Sequence, residues 1–168
     1  MDLIKLVKGD ITEVEVDAIV NAAHEGLSGG GGVDGAIHRA AGQKLLGECL
    51  NITDNPRCPT GEARITGGYN LRAKHVIHTV GPVYRQSSAR KEEELLRNCY
   101  KNSLKLADEN GLKSIAFPCI STGAYCFPKD KAAKIAVEEI RNFEGENLEE
   151  VQIVCFDDGN YFIYQDLL

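Results

Sequence analysis

Short apolar runs of strand length alternate with longer segments of helical period along the chain, and this alternation restricts the fold more than any single motif. The runs are residues 4–7, 18–20 (introduced by the β-prone Val14 and Val16), 63–66, 75–80, 114–118 and 151–156. Gly67-Gly68 stops the third run and Gly81-Pro82 the fourth. Residues 33–41, 91–110, 129–142 and 160–168 read as helices. In the second of these, Leu95, Cys99, Leu104 and Leu106-Ala107 recur near helical spacing, acids crowd the first turn, and Asn110-Gly111 closes it. Strands separated by helices predict an α/β sandwich around a mostly parallel sheet. No repeat, low-complexity tract or polar linker interrupts the pattern, so residues 1–168 are expected to form a single domain, long enough to bury its own core.

Composition removes several classes of function. The net charge is −6 at pH 7, which offers no general electrostatic footprint for duplex nucleic acid. A local anion site is still allowed, because main-chain N–H groups and helix N-termini bind phosphate without Lys or Arg. Residues 1–8 carry no apolar signal core, and no run approaches the ~18 apolar residues of a membrane span, so a cytoplasmic protein without membrane contact is expected. The six cysteines include no C-x-x-C pair, and the four histidines form no ligand-like cluster. Reduced, structural thiols and no metal or other cofactor are therefore expected.

In open α/β sheets, ligands occupy the crevice beyond the carboxyl ends of the strands. That rule singles out residues 21–34, 119–127 and 156–160. The first loop contains four consecutive glycines, Gly29 to Gly32, followed at once by a helix. Such a loop lets backbone approach a bulky anion and can gather N–H groups into a concavity, to which the helix adds its positive end. A bare connector is the competing reading, at considerable cost in chain entropy. Gly30-x-Gly32-x-x-Gly35 matches the dinucleotide fingerprint in form, but it starts well after its strand, and no following strand ends in a suitably placed acid. No P-loop Gly-Lys-Ser/Thr is present.

The second loop, Cys119-Ile-Ser121-Thr122-Gly123-Ala124-Tyr125-Cys126-Phe127, offers hydroxyls, a glycine and a following helix N-terminus to a phosphate, with aromatic surface for a sugar or base. Taken alone it reads better as a helix-capping loop with core aromatics. Two such loops suit a diphosphate. Asp34 and His38 are four residues apart on one helix and share a face, with Asp34 at the N-terminal end where its anion is stabilised. His38 is read as a packing or orienting group, His75 and His78 as structural, and Cys126 as an ordinary thiol.

Together these segments resemble the macrodomain family, in its MacroD-like, O-acetyl-ADP-ribose deacetylase branch. The resemblance rests on Gly9-Asp10-Ile11-Thr12, on residues 16–23, on the GGGGVDGAIHRAAG stretch of residues 29–42, on residues 61–71, on residues 75–84 (HVIHTVGPVY), and on residues 117–125 (FPCISTGAY). It implies a three-layer α/β/α macrodomain with a mixed, mostly parallel six-stranded sheet carrying ADP-ribose across its crest. By that likeness Asp10 and the Ile11 backbone hold adenine, with Phe156 over the base. Gly31, Gly32 and Val33, together with Ser121, Thr122, Gly123, Ala124 and Tyr125, cradle the diphosphate. Asn21, Asp34 and Phe127 surround the distal ribose.

This chain has His24 where the family usually has a second Asn, and Cys126 where glycine is usual. An imidazole donates at one nitrogen and accepts at the other, so His24 is expected to meet the distal ribose and to assist there. The expected activity is hydrolysis of esters on ADP-ribose, either O-acetyl-ADP-ribose or mono-ADP-ribosylated acidic side chains of proteins. Asp34, Asn21 and His24 are the expected catalytic set. The competing expectations are a non-catalytic ADP-ribose reader, then an RNA-associated adenine-binding module, and last an NAD-dependent dehydrogenase.

Overall fold

The computed structural model describes residues 4–52 and 57–168. Six strands form one sheet in the order β1-β6-β5-β2-β4-β3. They are β1 (Ile4–Lys8), β2 (Ala18–Ala23), β3 (Ala63–Gly67), β4 (His75–Val80), β5 (Ser114–Phe117) and β6 (Glu150–Cys155). All neighbours are parallel except β3, which runs antiparallel to β4 at the sheet edge. The sheet is thus mixed and mostly parallel, as expected from the sequence.

Each internal strand buries both faces, and the period of two decides which residue faces which layer. On one side Ala18, Val20, Ile77, Ile115, Phe117, Val151 and Ile153 pack with α3 (Ala89–Glu109), α4 (Lys129–Asn142) and α5 (Asp158–Leu167). On the other, Ile19, Ala23, Val76, Val80, Ala116 and Val154 meet α1 (Gly32–Ala41) and α2 (Gln43–Ile52). Helices on both faces of one sheet make the three-layer sandwich.

Helix α2 has no counterpart in the sequence reading, which ended its first helix at Gly42. Gly42 does end α1, in the left-handed region at φ 91°, but the chain turns and begins another helix at once. Only Leu45 and Cys49 of α2 are buried, and Gly47 interrupts it, so its apolar stripe is too narrow to read as a period. Two short 3₁₀ turns, Ile11–Glu13 and Gln86–Ser88, were likewise absent from that reading. Helix α5 starts two residues earlier than expected because Asp157 caps it, accepting from the Asn160 N–H at 2.7 Å.

Parallel strands put their carboxyl ends on one side. The connections leaving β1, β2, β5 and β6 therefore converge there.

Candidate functional site

A cleft of about 680 Å³ opens where those four connections meet. Asp10, Ile11, His24, Gly31, Gly32, Val33, Asp34, Ser121, Thr122, Gly123, Ala124, Tyr125 and Phe156 all line it. Asn21 and Phe127, the other two expected site residues, are buried and are not among the lining residues. Asn21 stands behind Asp34, and Phe127 packs edge-on against Tyr84 with ring centroids 4.9 Å apart.

The first wall is the loop between β2 and α1. Its glycines permit two features that side chains would forbid. Gly32 has φ 57° as the helix begins, and a Cβ on Gly35 would come within 2.5 Å of the Gly30 carbonyl oxygen. The loop therefore lies directly on the first turn of α1. Helix N-termini leave their first N–H groups without intrahelical partners. Among the described residues, no main-chain hydrogen bond between loops or turns uses the N–H groups of Gly31, Gly32 or Val33.

His24 staples this loop. Its Nδ1 accepts from the Gly26 N–H at 3.2 Å, so Nε2 carries the proton and donates to the Gly29 carbonyl oxygen, with Ser28 Oγ 3.2 Å away. The imidazole lines the cleft with both ring nitrogens already engaged by its own loop.

The second wall is the connection from β5 to α4. Cys126 N–H donates to Gly123 O, Phe127 N–H to Ser121 O, and Tyr84 N–H to Tyr125 O, each at 2.9 Å. Among the described residues, the N–H groups of Gly123, Ala124 and Tyr125 take no part in these loop bonds. Ser121 and Cys126 occupy the left-handed region at φ 66° and 60°. That accounts for the fit of glycine at the second position; cysteine there carries a conformational cost of roughly 1–2 kcal/mol. Gly81 closes the floor: a Cβ on it would overlap the Ser121 hydroxyl and approach Ile120 Cγ2 to 2.7 Å.

Several lining residues escaped the sequence reading. Asp157 and Asn160 belong to the third loop, which that reading flagged without assigning these two. Asn160 Nδ2 donates to Asp157 Oδ2 at 3.0 Å and reaches Thr122 Oγ1 at 3.4 Å, tying the third loop to the second. The Asn160 main-chain N–H, above all, holds the Asp157 carboxyl below the usual carboxylate range. Arg39, one turn beyond Gly35 on α1, is the one Lys or Arg among the described lining residues. A cleft with two rows of main-chain donors and a single guanidinium suits a diphosphate held by backbone rather than by a cationic cluster.

Of the three acids that line the cleft, Asp10, Asp34 and Asp157, Asp34 is the buried one, 4% exposed and in the first turn of α1. Its Oδ1 accepts from Asn21 Nδ2 at 2.8 Å. His38 Nε2 lies 3.4 Å from the same oxygen without a directed hydrogen bond. Asn21 in turn is fixed from behind: its Nδ2 is 3.1 Å from His78 Nδ1 on the neighbouring strand. Burial, reinforced by nearby His38, pushes the His78 imidazole down to about 3, so it is neutral at physiological pH. Buried Cys49, near Asp34, is pushed up to about 12 and stays a thiol. Among the described residues no group of three or more His, Cys, Asp or Glu is arranged to hold a metal ion, and no helix is long and apolar enough to cross a membrane.

An α/β/α sandwich whose crest cleft offers two rows of main-chain donors and a buried carboxylate at a helix start defines a nucleotide-phosphate-binding domain with the makings of a hydrolytic centre. The Macro domain family pattern matches residues 20–136. The chain belongs to the macrodomain family. It is 52% identical over 168 residues to the O-acetyl-ADP-ribose deacetylase of Escherichia fergusonii, covering 98% of this chain and 94% of that protein. It is 56% identical over 153 residues to human ADP-ribose glycohydrolase MACROD2, covering 91% of this chain and 35% of the larger protein. Among solved structures, the Trypanosoma brucei macrodomain in complex with ADP-ribose superposes with a TM-score of 0.90 at 46% identity, covering 98% of this chain and 68% of that one.

Proposed function

We propose that this macrodomain binds ADP-ribose in the crest cleft and hydrolyses esters on it, removing acetyl from O-acetyl-ADP-ribose or ADP-ribose from acidic side chains of modified proteins. The observation that carries the reading is the placing of Asp34 inside the cleft, on the same helix turn as the glycine-loop donors and held by Asn21 at 2.8 Å. The activities named for the Escherichia fergusonii and human relatives, a deacetylase of O-acetyl-ADP-ribose and an ADP-ribose glycohydrolase, are hydrolyses of ADP-ribose derivatives and support the reading.

In this reading the diphosphate sits between Gly31–Val33 and residues 121–125. The adenine lies by Asp10, Ile11 and the exposed Phe156 ring, and the distal ribose faces Asp34. The Asp34 carboxylate takes a proton from water as the water oxygen attacks the acyl carbonyl, assisted by the ligand's own phosphate. The tetrahedral adduct collapses, the acyl–oxygen bond breaks, and the ribose oxygen leaves with the proton that Asp34 took, which restores the carboxylate. The products are ADP-ribose and a carboxylic acid. General-base help of this kind supplies roughly 10²–10⁴-fold. Asn21 orients the carboxylate, and His24 shapes the loop beside it.

A reader without turnover is the second reading, favoured by the engagement of both His24 ring nitrogens within their own loop. Incubation with O-acetyl-ADP-ribose separates the two. Acetate release that the Asp34→Ala variant lacks supports the hydrolase; tight ADP-ribose binding with no acetate supports the reader.

A further inference from the structure

We propose that His78, which lies outside the cleft, is a positioning residue for the reaction: by accepting from the Asn21 amide it fixes which way that amide faces, and so holds the Asp34 carboxylate in its reactive orientation. The proposal rests on the hydrolase reading and adds to it a residue that never touches substrate.

The protons can be allocated along the whole chain of contacts. A carboxylate only accepts, so the Asn21 atom 2.8 Å from Asp34 Oδ1 is the amide nitrogen. That nitrogen has two protons, and its other neighbour is His78 Nδ1 at 3.1 Å. Nδ1 must therefore be the bare nitrogen, and Nε2 carries the imidazole proton. Nε2 lies 3.0 Å from Thr66 Oγ1, whose own hydroxyl donates to the main-chain oxygen of Gly67 at 3.1 Å. Cys49 Sγ lies farther from the same Nε2, at 3.6 Å, and the Asn21 oxygen has no hydrogen-bond partner among the described residues. From the Asn21 amide through His78 to Thr66 each donor meets an acceptor, and the series ends on sheet backbone. Asn21 and His78 are register partners on β2 and β4, so the spacing is set by the parallel ladder itself.

The alternative amide orientation would turn the Asn21 oxygen towards the carboxylate. A neutral His78 in this tautomer resists that flip, because a bare nitrogen gains nothing from a carbonyl. All three of Asn21, Thr66 and His78 are buried, at 0%, 2% and 0% exposure, where lost hydrogen bonds are not replaced by water. A packing role alone would need only the volume of the ring; the allocation above needs an acceptor at the δ position.

Three substitutions separate those roles. His78→Asn keeps an acceptor at the δ position. His78→Gln moves the polar group out to the ε position, and His78→Leu removes it. In acetate release from O-acetyl-ADP-ribose, His78→Asn is expected to keep kcat within about threefold of wild type, the scale of one relocated hydrogen bond. His78→Gln and His78→Leu are expected to lose roughly 10- to 100-fold in kcat, the scale of a misplaced catalytic group, while ADP-ribose Kd changes by less than about threefold. Wild-type kcat in folded His78→Leu, or equal kcat losses in the Asn and Gln variants that follow their melting temperatures, would overturn the proposal.

A second measurement needs neither folded variants nor turnover. Long-range ¹H–¹⁵N correlation on the wild-type protein at neutral pH should show His78 as the neutral Nε2–H tautomer. An Nδ1–H tautomer or an imidazolium ring rules the proposal out. Absence of acetate release by wild type would reject the hydrolase reading alone, leaving the tautomer to decide the placement of Asn21.

Discussion

Asn21→Asp tests the buried pair at the heart of the site. Asn21 is fully buried, with its amide nitrogen 2.8 Å from Asp34 Oδ1 and 3.1 Å from His78 Nδ1. The substitution changes almost no volume and sets a second carboxylate against the first. Two unit charges about 4 Å apart at an effective dielectric constant of about 20 interact by roughly 4 kcal/mol, so both carboxyls cannot stay ionised. The folded variant must bind a proton, on one of the two carboxyls, on His78 facing the new group, or on His38, 3.4 Å from Asp34; the neighbouring Cys49 thiol already carries its proton. Every recipient gives the same sign. Its folded-state pKa is raised, so the stabilisation it brings is present below the unfolded pKa and is lost as pH rises through the folded one. The loss begins near pH 4 for a carboxyl and near pH 6.5 for an imidazole, with a slope of at most about 1.4 kcal/mol per pH unit. Between pH 5 and 8 the variant should therefore lose roughly 2–4 kcal/mol relative to wild type, a large part of a typical domain's ~5–15 kcal/mol. Urea unfolding at several pH values, read as midpoints at constant slope, measures this directly. A difference between variant and wild type that stays flat across that range, or grows towards acid, would refute the placement of Asn21 against Asp34.

Three further outcomes are expected. Asp34→Ala should abolish acetate release while leaving ADP-ribose affinity within about tenfold, since the proposed base contributes to the reaction rather than to the diphosphate grip; unchanged turnover would reject Asp34 as the base. Phe156→Ala should weaken ADP-ribose binding by about 1–3 kcal/mol, the range of a base stacked on an aromatic ring. It should leave thermal stability nearly unaltered because the ring is 84% exposed, so equal calorimetric affinity of both proteins would count against adenine stacking there. Asp108 accepts from the N–H groups of Glu146, Asn147 and Leu148 at 3.1, 2.8 and 2.9 Å, which hold its carboxyl below the usual range. Its stabilisation is present above the unfolded carboxylate pKa and is lost as pH falls through the depressed one, so Asp108→Ala should be less stable at neutral pH yet lose less of that stability than wild type on acidification to about pH 2.

The layer order and most helix and strand positions were legible because both periods are clean over most of the chain. Residues 75–80 and 129–142 coincide with β4 and α4. Helix α2 was not legible: a glycine stop preceded it, and only two of its positions face the core. At the site, the glycine run and the hydroxyl loop announced themselves by composition, and the acid by its place on a helix start. The role of His78 could not be read locally, since its link to Asn21 arises from strands that pair across 57 residues of chain. Polar residues at buried positions of a strand, His78 and Thr79 in HVIHTV, were the local signal. At His24 the sequence shows a ring that can donate and accept, but not what meets its nitrogens. Gly26 and Gly29, two and five residues further on, turn the chain back onto the ring nitrogens.

The central claim is that main-chain amides of two loops grip a nucleotide diphosphate. Titration of ¹⁵N-labelled protein with ADP-ribose, followed by amide ¹H–¹⁵N correlation, tests it most directly. Saturable shifts largest at Gly31, Gly32, Val33 and at residues 122–125 are the predicted result. Amides at those positions that stay still up to millimolar ligand, whether or not others move, would contradict the claim.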